Sequence, residues 1–138
     1  MNERPHLLIV DDDREIRGLL AQYLEKHEFR TTAVPDGKEM RRVLERSHVD
    51  LLVLDLMLPG EDGLSLCREL RGRSQLPIIM LTARGEEQIE LALTVRGAQR
   101  PAELARVAAR ALAQSGYPEL AHRALHLLEV PELLAREA

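Results

Sequence analysis

The chain has 138 residues, 45% of them apolar and 30% charged, which places it among folded globular proteins and excludes a disordered one. Nineteen basic residues against 23 acidic ones give a net charge of -4, which excludes a general electrostatic coat for nucleic acid or anionic membrane. A lone cysteine, Cys67, excludes an internal disulfide framework and fits a reducing, cytoplasmic setting. No signal-peptide layout precedes Val10, and no apolar run approaches the roughly 20 residues of a membrane span, so no membrane association is expected. Tyr23, Phe29 and Tyr117 are the whole aromatic complement, too few for base stacking. Direct nucleic-acid binding is accordingly not expected.

The continuous apolar run at 7–10 predicts a first strand over 6–10. A helix over 14–27 follows, with Ile16, Leu19, Leu20, Tyr23 and Leu24 at helical spacing. A strand over 30–34, the turn Pro35-Asp36-Gly37 and a helix over 38–46 come next. The second apolar run, 51–56, predicts a buried strand, because unbroken rather than alternating apolar residues mark strands covered on both faces. The glycine- and proline-rich stretch 59–63 leads into a helix over 64–71, and 77–81 is a fourth strand. Strands alternating with helices predict a parallel α/β sheet.

Past Gly85 the composition changes, with no Asp beyond Asp62 and no Lys beyond Lys38. Helices are expected over 102–115 and 118–128, with a last turn over 131–137. Residues 89–95 alternate as a strand does, yet their neighbours favour helix, and helix is the expectation adopted. The chain then divides into an α/β core, 1–86, and a helical C-terminal segment, 87–138, packed on it.

In parallel sheets, residues at the carboxyl ends of the strands collect on one edge. Asp11-Asp12-Asp13 follows the first strand, Asp55 closes the third and Thr82 follows the fourth. Carboxylates brought together there repel unless a cation neutralises them, and Mg2+ suits an oxygen-only set with few protein ligands. Taken singly, Asp12 reads as a helix cap, since Asp12-Asp13-Arg14-Glu15 has capping-box spacing. Asp55 ends an apolar strand, where an unpaired carboxylate is rarely tolerated, so a site is the stronger reading for the pair.

Three segments carry a family resemblance: Leu8-Ile9-Val10-Asp11-Asp12-Asp13 with Arg17, then Val53-Leu54-Asp55-Leu56-Met57-Leu58-Pro59-Gly60 with Asp62-Gly63, then Pro77-Ile78-Ile79-Met80-Leu81-Thr82-Ala83. Over about residues 5–86 the chain resembles the receiver domain of two-component response regulators, most closely the winged-helix transcription-factor subfamily. The resemblance implies a flavodoxin-like sheet and a signalling module that is not an enzyme. It implies that Asp55 accepts a phosphoryl group from a histidine kinase. It further implies that Asp11, Asp12, Asp55 and the backbone carbonyl of Met57 hold Mg2+, and that Thr82 hydrogen-bonds a phosphoryl oxygen.

The C-terminal third departs from that family and reads as atypical or chimeric. The family's fifth strand ends in Lys-Pro, whereas the nearest match here is Arg100-Pro101, and arginine does not replace a compact ammonium in a tight pocket. The fifth strand is therefore expected to be missing or replaced. The uncovered edge of the fourth strand needs residues 89–95 as a substitute strand, the tail helices, or a second copy in a homodimer.

Other residues draw plainer readings. His122 and His126 stand four apart on an expected helix without a third ligand, Cys67 reads as core filler, and Arg41-Arg42 and 71–73 read as solvated charge. Gly60 and Gly63 read as turn formers. A competing function is a phosphorylation-independent interaction or dimerisation module with a relic acidic pocket. A haloacid-dehalogenase-type phosphatase is set aside, because Met57 stands where that family has its second aspartate.

Overall fold

The computed structural model describes residues 4–55, 58, 60–74, 76–84, 88–94 and 126–127. Its first strand, β1 (His6–Val10), lies between β2 (Arg30–Val34) and β3 (Leu51–Asp55), parallel to both. β4 (Ile78–Arg84) pairs parallel with β3 on the far side. The helices α1 (Arg14–Lys26), α2 (Gly37–Arg46) and α3 (Gly63–Arg73) connect these four strands in turn.

Each helix starts on an aspartate whose carboxylate accepts an otherwise unpaired backbone amide: Asp13 for α1, Asp36 for α2 and Asp62 for α3. At the end of α1, Glu28 takes the left-handed conformation (φ 68°), and the Phe29 amide returns to the Leu24 carbonyl at 3.1 Å. This closes the helix and drops the buried Phe29 into the core.

The unbroken apolar runs have the origin expected of them, since both faces of the sheet are covered. Leu8, Val10, Leu52, Leu54, Ile78 and Met80 share one core cluster with Met40, Leu66, Cys67 and Leu70. The alternate residues Leu7, Ile9, Leu51, Val53 and Ile79 are equally inaccessible, as are Leu20 and Leu24 of α1. At the amino edge the buried His6 is satisfied by its ring: Nδ1 donates to the His48 carbonyl at 2.8 Å, leaving Nε2 to accept from Thr32 Oγ1 at 2.7 Å.

Beyond β4 the expectations need correcting. The stretch expected as a helix over 89–95 is a strand, β5 (Gln88–Thr94), antiparallel to β4 with Thr82 opposite Glu90 and Ile78 opposite Thr94. The period-two alternation carried the right signal, and the long-range pairing that makes it a strand overrides local helix preference. That pairing also extends β4 to Arg84, past the expected end at Leu81. The fifth strand is thus replaced by one running the opposite way, and the edge of β4 is covered without a second copy of the chain.

A short strand, β6 (His126–Leu127), pairs parallel with β5, giving the order β2-β1-β3-β4-β5-β6. His126 is therefore in a strand and not on the helix expected over 118–128. Within 87–138 the described residues are strands joined to the sheet, contrary to a wholly helical segment. The helices expected over 102–115 and 131–137, together with His122 and Arg100-Pro101, lie outside the described residues.

Candidate functional site

Parallel register positions the site. Val10 stands opposite Leu54, so the next residues on the two neighbouring strands, Asp11 and Asp55, arrive together at the carboxyl edge. Carboxylate oxygens of Asp11, Asp12 and Asp55 all lie within 4.8 Å of one another. Asp11 is 3% exposed, Asp55 half-buried and Asp12 exposed, so the cluster is closed below and open to solvent above.

Burial raises the Asp11 carboxyl from 3.8 to about 6, aided by the negative charges of Asp55, Asp12 and Asp13 and opposed by a hydrogen bond from the Asp13 amide at 2.9 Å. The smaller part of that rise comes from the neighbouring negative charges, which a cation would relieve. The donors are all carboxylate oxygens at a solvent-facing edge, the chemistry that a hard divalent ion such as Mg2+ prefers.

Two neighbours hold the loop in this shape. The Asp13 carboxylate accepts the Glu15 and Ile16 amides at 2.9 and 3.1 Å, so Asp13, and not Asp12, is the helix cap. The cap sits one residue later than the capping-box spacing suggested, because β1 ends at Val10 and three residues separate it from α1. Arg17, which the sequence marked only as part of a motif, donates Nη1 to the carbonyls of Asp11 and Asp12 at 2.8 and 3.2 Å and pins the loop backbone.

Thr82 lies inside β4 rather than after it, one residue beyond Leu81, the register partner of Asp55. Its backbone is therefore at the same edge as the three carboxylates. Met57, expected to offer a carbonyl, lies outside the described residues. The reversed β5 brings its amino end, Gln88 to Glu90, to this edge and carries Thr94 to the opposite one. A strand of that direction cannot deliver its carboxyl-terminal residue to the site, where the family has its lysine.

A parallel α/β sheet with three aspartates at the carboxyl edge of β1 and β3 defines a receiver module. Residues 7–101 match the response regulator receiver domain family, and the chain belongs to it. It is 56% identical over 82 residues to Protein PetR of Rhodobacter capsulatus, covering 59% of this chain and 35% of that protein. It is 42% identical over 77 residues to the transcriptional regulatory protein RstA of Escherichia coli, covering 56% and 32%. The chain thus spans about a third of the length of these relatives.

Among solved structures, the BeF3-activated N-terminal receiver domain of Klebsiella pneumoniae RstA superposes with a TM-score of 0.55 at 43% identity, over 59% of this chain and 70% of that one. The response regulator TrrA of Thermotoga maritima, solved with Mg2+ and BeF, gives 0.55 at 32% identity, over 59% and 71%.

These relatives overturn one expectation. RstA, like ResD of Bacillus subtilis (44% identical over 80 residues), is a transcriptional regulatory protein, which conflicts with the absence of direct nucleic-acid binding read from net charge. A charge summed over a segment matching a third of a regulator says nothing of a surface elsewhere in the protein. Among the described residues, no helix is long and apolar enough to cross a membrane.

Proposed function

We propose that this chain is the phosphoryl-accepting part of a two-component pathway, with Asp55 the acceptor, a histidine kinase the donor and transcription the output. The observation that carries the reading is the convergence of Asp11, Asp12 and Asp55 within 4.8 Å at the carboxyl edge. An Asp55 carboxylate oxygen forms the new bond to phosphorus as the phosphorus–nitrogen bond of a kinase phosphohistidine breaks. The electron pair returns to the imidazole, which takes up a proton. Asp11, Asp12 and Asp55 would hold Mg2+, which supplies positive charge against the phosphoryl oxygens.

Asp55 does not turn over a substrate, so the chain is a signalling module and not an enzyme, and its setting is the cytoplasm. No lysine follows Lys38, so a cation carries the charge neutralisation that the family shares with its lysine, and acceptance is slower than in relatives that keep it. The reversed β5 favours a second reading, a phosphorylation-independent interaction module, because it alters the edge through which the site would be coupled to an output.

Intact mass spectrometry after incubation with a small phosphodonor and Mg2+ separates the two. One phosphoryl adduct, dependent on Mg2+ and absent from Asp55→Asn, supports the acceptor. A folded protein without an adduct supports the interaction module.

A further inference from the structure

The reversal of β5 decides which of its residues stand at the carboxyl edge. Leu81 is the register partner of Asp55 on one side and of Leu91 on the other, and the next pair along, Thr82 and Glu90, lies one residue further toward that edge. With strands about 4.8 Å apart and residues about 3.4 Å apart along a strand, the Glu90 backbone stands about 10 Å from that of Asp55. Had β5 run parallel to β4, its carboxyl-terminal residues would stand there instead.

Glu90 thus adds a formal negative charge to the edge that holds Asp11, Asp12 and Asp55, whose carboxylate oxygens lie within 4.8 Å of one another. Coulomb attraction acts across such a gap without contact. At about 10 Å, one charge changes the affinity of a divalent cation about threefold even in a solvent-like dielectric. Arg84, two residues beyond Thr82 on β4 and opposite Gln88, is about as far from Asp55 by the same spacings and carries the opposite sign.

We propose that Glu90 is an electrostatic determinant of cation affinity at the aspartate cluster, set in place by the reversed strand. The proposal rests on the cation reading of that cluster. It requires no bond from Glu90 to the ion, because attraction at this range depends on separation and screening alone. The reversed strand therefore does more than cover the edge of β4, since it also supplies charge of the sign that a cation favours.

Isothermal titration of the full chain with Mg2+, at a temperature where melting curves show every variant folded, measures the effect. At an ionic strength of about 0.01 M, Glu90→Gln is expected to raise the Mg2+ Kd about threefold, and Glu90→Lys, which changes the charge by two, about tenfold. Glu90→Asp keeps the charge and stays close to wild type. Arg84→Gln lowers the Kd about threefold, a direction that damage to the sheet does not produce.

Salt separates electrostatics from structure. At about 0.15 M the Debye length falls to about 8 Å, shorter than the separation, and the Glu90 variants converge on wild type. Wild-type binding with both Glu90→Gln and Glu90→Lys unchanged at low ionic strength, or weakened equally at the two ionic strengths, overturns the inference and leaves the cation site standing. A wild-type chain that binds no Mg2+ overturns the cation reading, and the inference with it.

Discussion

The Asp13 amide donates to Oδ1 of Asp11 at 2.9 Å while the Asp13 carboxylate caps α1, so Asp13 serves the helix and Asp11 and Asp12 belong to the carboxylate cluster. This division predicts separable mutants. Asp13→Ala should cost about 1 kcal/mol of stability through the lost cap and leave Mg2+ affinity within a few-fold. Asp12→Ala should weaken Mg2+ binding while leaving stability in chelator unchanged or slightly raised, since a like charge is removed. Urea titrations paired with Mg2+ calorimetry check both. A large stability loss in Asp12→Ala would return the capping role to Asp12.

Asp11 makes the cation-free protein pH-sensitive in a defined direction. Its folded-state pKa, about 6, lies above the ordinary 3.8, so between these values the native state binds more protons than the unfolded one. The Asp11 contribution therefore falls as pH rises from about 4 to about 6 and is flat above, a loss on the order of 3 kcal/mol for a shift of about two units. Asp11→Asn, whose Oδ1 can still accept the Asp13 amide, should remove that slope and be the more stable protein at pH 7 in chelator. Denaturation midpoints at several pH values, compared with wild type, test this, and equal slopes would sink the assignment.

Glu28 carries a backbone cost that glycine would not. At φ 68° it sits in the left-handed region, and Glu28→Gly should stabilise the chain by about 0.5–1 kcal/mol, net of the added entropy of glycine in the unfolded state. Thermal melting reads the difference, and a lower midpoint would show that the Glu28 side chain contributes more than its backbone costs.

Leu54 is wholly inaccessible and packs in the cluster between the sheet and α2 and α3. Leu54→Ala should cost about 2–5 kcal/mol, a large share of the roughly 5–15 kcal/mol that holds a small domain folded. Chemical denaturation measures it. A cost under 1 kcal/mol would mean that the core collapses around the gap.

The first 84 residues were largely legible because local pattern and tertiary environment agree there. Apolar runs within 6–10 and 51–56 announced strands covered on both faces, and the three-residue acidic stretch after the first run announced the site. Where the two disagree, local reading went astray. The alternation at Ile89, Leu91 and Leu93 was outweighed by helix-favouring neighbours, yet the unpaired edge of β4 decided the outcome. Arg41 was read as a charge on a polar face because its partners, Glu61 and Glu69, are 20 and 28 residues away in the chain.

Sequence by itself determined the element types through β4, the three carboxylates and the family they resemble, since these follow from residue periodicity and from a motif with fixed spacing. Tertiary structure alone decided the direction of β5, the choice of Asp13 over Asp12 as cap, and the joining of α2 to the β3–α3 connection by Arg41. Each of these depends on which distant backbone or side-chain groups come within hydrogen-bonding distance, and that is set by how the chain packs rather than by the order of its residues.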